Sequence, residues 1–149
     1  WSSDVCSSDL VSTKDFSEWS PRQLVYDGGF NVIDAFPFQK DGRWGMVVKD
    51  ETLKPVAKNL HIVWSSGGIS GPWEKAGPAF TDNTKAWAEG PSVLKVPDGW
   101  LVYFDEYNKG GYGAVRTHDF VTFTPVAATL PKGIRHGTTF ELAPGTEVR

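Results

Sequence analysis

The sequence predicts an all-β protein assembled from repeated four-stranded units, and three observations carry that prediction. Aromatic residues make up 13% of the chain, seven of them Trp, which is high for so short a chain and suits sheets packed on one another. Sixteen Gly and ten Pro fall between short β-like runs, where they end strands and set turns. The runs themselves recur in one order. Bulk charge narrows the class further. With 15 basic and 18 acidic residues the net charge is −3, which argues against a nucleic-acid partner. No apolar run approaches the ~18 residues that cross a bilayer, so no membrane partner is expected either. The single cysteine, Cys6, excludes an internal disulfide.

Taken in order, residues 1–10 read as a non-native leader. SSDVCSSDL (Ser2 to Leu10) repeats Ser-Ser-Asp and has neither apolar periodicity nor the zones of a signal peptide. Asp4 to Leu10 back-translates to a stretch resembling the end of a sequencing adapter. The globular domain is expected over 11–149, with the true N-terminus missing. STKDFSEWS (Ser12 to Ser20) then reads as the end of one unit. A complete unit opens at Asp34 and runs through IDAFPFQKDG, RWGMVVKDE, KNLHIVWSS and GPWEKAG. A second opens at Glu89 with AEGPSVLKVPDG, followed by WLVYFDEYN, GYGAVRTHDF and VTFTPV.

Both units give an apolar strand, an Asp-Gly turn, an aromatic strand ending in Asp-Glu, a third strand and a short fourth. Asp41-Gly42 and Asp98-Gly99 suit hairpin turns, because Gly accepts the positive φ that such turns require. Asp50-Glu51 matches Asp105-Glu106. The unit end recurs as RTHDFVTFT (Arg116 to Thr124), which shares Thr-x-Asp-Phe with Ser12–Ser20. RHGTTFEL opens a further unit at His136. The opening residues Asp34, Glu89 and His136 are spaced by 55 and 47 positions.

Four strands in roughly 50 residues is the size of one β-propeller blade. The expected fold is a partial propeller of two to three blades. A β-sandwich also has short strands and regular turns, but matched four-strand units disfavour it. Trp44, Trp64, Trp73, Trp100, Phe104 and Phe120 are expected to fill the wedges between blades. The innermost strand of each blade lines the central channel, so Asp34, Glu89 and His136 should converge on its mouth. Two carboxyl groups sharing a partly dry funnel cannot both ionise freely, and one is expected to hold its proton near neutral pH. A protonated carboxyl beside a carboxylate is equipment for glycoside hydrolysis. Trp87 precedes Glu89 by two residues and would share its face, where its ring could stack on a sugar.

WAEGPSVLKV, NVIDAFPF and RHGTTFEL, in that spacing, resemble glycoside hydrolase family 43. The resemblance implies a five-bladed β-propeller related to arabinanases, arabinofuranosidases and β-xylosidases, acting with inversion. It implies Glu89 as general acid and Asp34 as the carboxylate that raises and orients that acid. It implies His136 as a channel histidine beside a calcium or similar ion, with a hydrogen-bonded histidine as the alternative. Arg116 would contact substrate or brace the acid. The general-base Asp of such enzymes has no counterpart in residues 11–33, because Asp15 and Asp27 lie in a unit-end motif and a Gly-rich turn. The chain is therefore expected to be an inactive piece of a secreted or periplasmic glycosidase. Its parent would act on plant or algal polysaccharides, most naturally at arabinose- or xylose-type sugars. A non-catalytic carbohydrate-binding propeller is the alternative, and a fructosidase-like or agaro-oligosaccharide hydrolase is a third reading.

Overall fold

A computed structural model describes residues 7–131 and 133–142. Trp1–Cys6 of the expected leader lie outside the described residues, and with them Asp4 and Cys6. The described chain is all-β, with no helix among the described residues. A hairpin comes first, β1 (Ser8–Leu10) paired with β2 (Gln23–Tyr26). Two four-stranded antiparallel sheets follow. The first runs β3 (Val32–Lys40), β4 (Arg43–Asp50), β5 (Asn59–Gly68) and β6 (Gly71–Trp73) in spatial as in sequence order. The second runs β7 (Ala88–Val96), β8 (Gly99–Glu106), β9 (Gly111–Thr117) and β10 (Thr124–Val126) in the same way. The leading strands β3 and β7 lie side by side, as the inner strands of adjoining blades do.

Side-chain alternation explains why the sheets stack. Successive residues of a strand point to opposite faces. In β4, Gly45–Lys49 are all buried, because both faces of the strand are covered. Val47 packs toward the second sheet with Phe38, Leu60, Ile62, Val102 and Phe120. Its neighbours Met46 and Val48 pack the other way, with Tyr26 of the first hairpin, Val32 and Val63. A central blade thus reads as a continuous apolar run. Trp64, Trp100, Phe104 and Phe120 belong to the first of these cores and Trp73 to the second, as the sequence predicts. Trp44 is half-buried and belongs to neither.

The unit-end motif repeats down to its hydrogen bonds. Thr117 Oγ1 accepts from the Phe120 N–H at 2.8 Å, and Asp119 Oδ1 accepts from the N–H groups of Val121 and Thr122, each at 2.8 Å. Thr13 Oγ1 accepts from Phe16 at 2.9 Å, and Asp15 Oδ1 accepts from Ser17 at 2.9 Å and Glu18 at 3.4 Å. Both turns push their Phe into the left-handed region, at φ 62° for Phe16 and 59° for Phe120. In the second sheet this thrusts the Phe120 ring against Phe38 of the neighbouring sheet, stacked at 4.4 Å and 18°. Trp64 meets the same ring edge-on, which closes the wedge.

The pairing corrects two details of the repeat. Ile33 lies opposite Lys49, and Glu89 lies opposite Asp105. Lys40 pairs with Arg43, and Val96 with Gly99. The sheets therefore superpose with a shift of 56 residues, which also carries Trp44 onto Trp100. Glu89 corresponds to Ile33, and Asp34 corresponds to Gly90. The second hairpin turn is likewise Pro97-Asp98, with Gly99 following it inside β8 at φ 95°.

Candidate active site

The site forms where β3 and β7 begin. Each strand carries a β-bulge there, after Ile33 in β3 and after Glu89 in β7. An extra residue in one strand bends it and re-aims its side chains. Asp34, Gly90 and His136 sit at φ 50°, 52° and 48°, the same left-handed conformation at three successive unit openings. The bulges are tied together, because Asp34 Oδ2 accepts the Gly90 N–H at 3.0 Å. Gly90 has a second reason to lack a side chain. A Cβ there would stand 3.1 Å from the His136 ring.

The expected convergence is present. Ligand atoms of Asp34, Glu89 and His136 all lie within 4.8 Å of one another. Glu89 reaches this point from one position earlier in the repeat than expected, because the bulge turns its side chain into the same space. Its carboxylate is held on both oxygens. Oε1 accepts from Arg135 Nη2 at 2.5 Å and from His136 Nε2 at 3.0 Å. Oε2 takes Lys49 Nζ at 2.9 Å. Arg135 also bonds Asp105, whose side chain is fully buried. Lys49 forms an ion pair with Glu51 at 2.5 Å, and Glu51 in turn pairs with Lys58.

These contacts reverse one expectation. Burial pushes the Glu89 carboxyl upward, but hydrogen bonds from His136, Lys49 and Arg135, with the Lys49 charge, outweigh it and bring it down to about 2. Glu89 is therefore an anion at neutral pH in this arrangement, rather than the protonated member of a carboxyl pair. Lys49 responds in kind. Burial pushes its ammonium down, and Glu51 and Glu89 more than reverse this, leaving it raised.

Trp87 stands at the same end of the sheet. Its ring lies 5.7 Å from that of Tyr107 at 55°, with Lys58 Nζ 5.7 Å from its centre. Tyr107 in turn faces Lys49 Nζ at 4.4 Å. Arg116 does not join the cluster. It donates to the Asp98 carbonyl at 2.6 Å, at the far end of the second sheet from Glu89, because β9 pairs it with Leu101 near the β7–β8 turn. A role for Arg116 in bracing Glu89 is incompatible with that placement.

Residues not anticipated from sequence include Lys49, Arg135, Glu51 and Asp105. Lys49 carried a signal, since a lysine closing the apolar run GMVV is half-way to being a buried charge. Arg135 neighbours His136, and nothing in its local pattern marks it. A calcium ion does not fit the cluster. Calcium takes six to eight oxygen ligands, whereas here two carboxylates meet one imidazole, and both Glu89 oxygens are already engaged by cationic or N–H donors. His136 instead serves as a hydrogen-bond donor to Glu89.

Two adjoining antiparallel four-stranded sheets with a carboxyl pair at the mouths of their leading strands define a bladed β-protein. The sequence matches, over residues 4–145, a family described as a probable glycosyl hydrolase domain and related to glycoside hydrolase family 43. The chain belongs to that family, and a glycosyl hydrolase-like function comes with it. The match takes in residues that the sequence pattern assigned to a leader, and Ser8–Leu10 of that stretch form β1. No curated protein matches the chain.

Proposed function

We propose that the cluster is the sugar-cleaving centre of an inverting glycosidase acting on plant or algal polysaccharide, with arabinose- or xylose-type sugars as substrates. The single observation that carries this is the meeting of Asp34 and Glu89 at the mouths of adjoining inner strands. Their separation supports unequal roles. An inverting acid and base stand about 6.5–9.5 Å apart to admit a water between them, and this pair is closer. The two are therefore not the acid and base of one inverting pair; the family resemblance makes Asp34 the modulating carboxylate and Glu89 the acid, and the base comes from elsewhere. Among residues 11–33, Asp15 and Asp27 are committed to turns, each accepting backbone N–H groups. Glu89 can act as an acid only once Arg135 and His136 release Oε1 and that oxygen takes up a proton, with Lys49 still on Oε2. Arg135 and His136 are half-exposed, at 52% and 49%, and a sugar hydroxyl can take their place. Trp87 then offers a stacking face, and the enzyme works as a secreted or periplasmic protein.

Calorimetric titration with arabino- and xylo-oligosaccharides tests this reading. The chain binds one of them, E89Q and D34N weaken binding, and aryl glycosides are not turned over. Absence of binding by the parent chain to either series would sink it, and turnover that depends on Glu89 would sink the missing base. The ion pairing of Glu89 favours a second reading, a sugar-binding propeller in which the acids only accept hydrogen bonds. That reading expects binding by the chain and no turnover by any longer form of the protein.

A further inference from the structure

Lys49 is 1% exposed, and its ammonium bridges two carboxylates from different sheets: Glu51 at the end of its own β4 and Glu89 at the mouth of β7. Burying a charge is costly before pairing, so a lysine here needs an account. Closing its own sheet does not supply one, because Glu51 already has a second cation in Lys58. Glu89 is different. Its other partners, Arg135 and His136, are half-exposed and both engage Oε1, whereas among the described residues Lys49 alone meets Oε2. The Tyr107 ring, 4.4 Å away, covers the ammonium from another side. An incoming sugar can displace Arg135 and His136 but has no route to Lys49.

We propose that Lys49 is the positioning residue for Glu89, pinning Oε2 inward so that Oε1 is the oxygen presented to the sugar. Its functional meaning rests on the glycosidase reading, but its geometry does not. It follows that the reacting oxygen of Glu89 is chosen by a residue of the preceding blade, and that the two blades must stay docked for the site to be aimed. Alternation places Lys49 on the same face of β4 as Val47, so the packing that joins the blades also delivers the ammonium.

The test compares K49M and K49R with the parent chain by crystallography and by carbodiimide labelling of carboxyl groups at about pH 5, mapped by mass spectrometry. A carboxylate held in an ion pair reacts slowly. In K49M, Glu89 turns away from its place beside Asp34 and labels several-fold faster. In K49R, it stays and labels as in the parent. A Glu89 that neither moves nor labels faster in K49M overturns the proposal, and so does a K49R protein that behaves like K49M. If K49M does not fold, K49Q, which keeps a hydrogen-bond donor but no charge, takes its place. Glu89 then labels several-fold faster than in the parent, and a Glu89 that labels as in the parent overturns the proposal. No sugar enters these measurements, so failure of oligosaccharide binding sinks the glycosidase reading and leaves the Lys49 result standing.

Discussion

Replacing Glu89 by Gln should change how stability depends on pH, and the structure gives a size for the change. The folded-state carboxyl lies at about 2 against an ordinary 4.5. At ~1.4 kcal/mol per unit the gap is worth on the order of 3 kcal/mol. Arg135 and His136 are half-exposed, so solvent screens their share, and about 2 kcal/mol is the working figure. The sign follows from the direction. A carboxyl depressed by folding contributes its stability above its unfolded value, near 4.5, and loses it as pH falls toward 2. Gln carries no such charge at any pH. Urea unfolding of parent and E89Q, repeated from pH 7 down to pH 3, should show the parent ahead at neutrality. The advantage should shrink by about 1–2 kcal/mol by the acid end. A difference that stays constant over the series would mean that Glu89 is not held as an ion, and the argument for its resting state would fail.

Other expectations concern packing and placement. G90A forces a Cβ to 3.1 Å from the His136 ring at φ 52° and should cost roughly 1–3 kcal/mol in denaturant unfolding. An unchanged midpoint would contradict the tied bulges. F120A should lose roughly 3–5 kcal/mol, because its ring is buried against Phe38. The equivalent F16A should lose under ~0.5 kcal/mol, because Phe16 is 81% exposed; equal losses would refute the account of the wedge. R116A should leave oligosaccharide binding within about twofold of the parent by calorimetry, since Arg116 serves the Asp98 turn. Added calcium should leave the thermal midpoint of the chain unmoved, and a rise that E89Q abolishes would show the donor set to be a metal site after all.

The repeat was legible because each unit must solve the same problem twice. Gly42 and the Thr-x-Asp-Phe turns are local solutions, fixed by φ preferences and hydrogen bonds within a few residues, so they show in sequence. The register was less legible. Asp50-Glu51 and Asp105-Glu106 suggest a shift of 55, whereas the ladder uses 56, since strand pairing is set by hydrogen bonds between strands and not by matching letters. The end of the sheet that Arg116 serves was hidden for a related reason. An arginine near a unit end can point to either end of its sheet, and only the pairing with Leu101 decides.

By itself the sequence determined the all-β class, the blade-sized units and the residues that open them, because turn chemistry and two-residue alternation are written locally. Tertiary structure decided what those residues become. Lys49 and Arg135 reach Glu89 from 40 and 46 positions away, and the charge state of a carboxyl depends on everything within a few ångströms of it, whatever the distance along the chain. Two acids at neighbouring mouths suggest a shared proton, while the cations that folding delivers beside them make one of the two an anion.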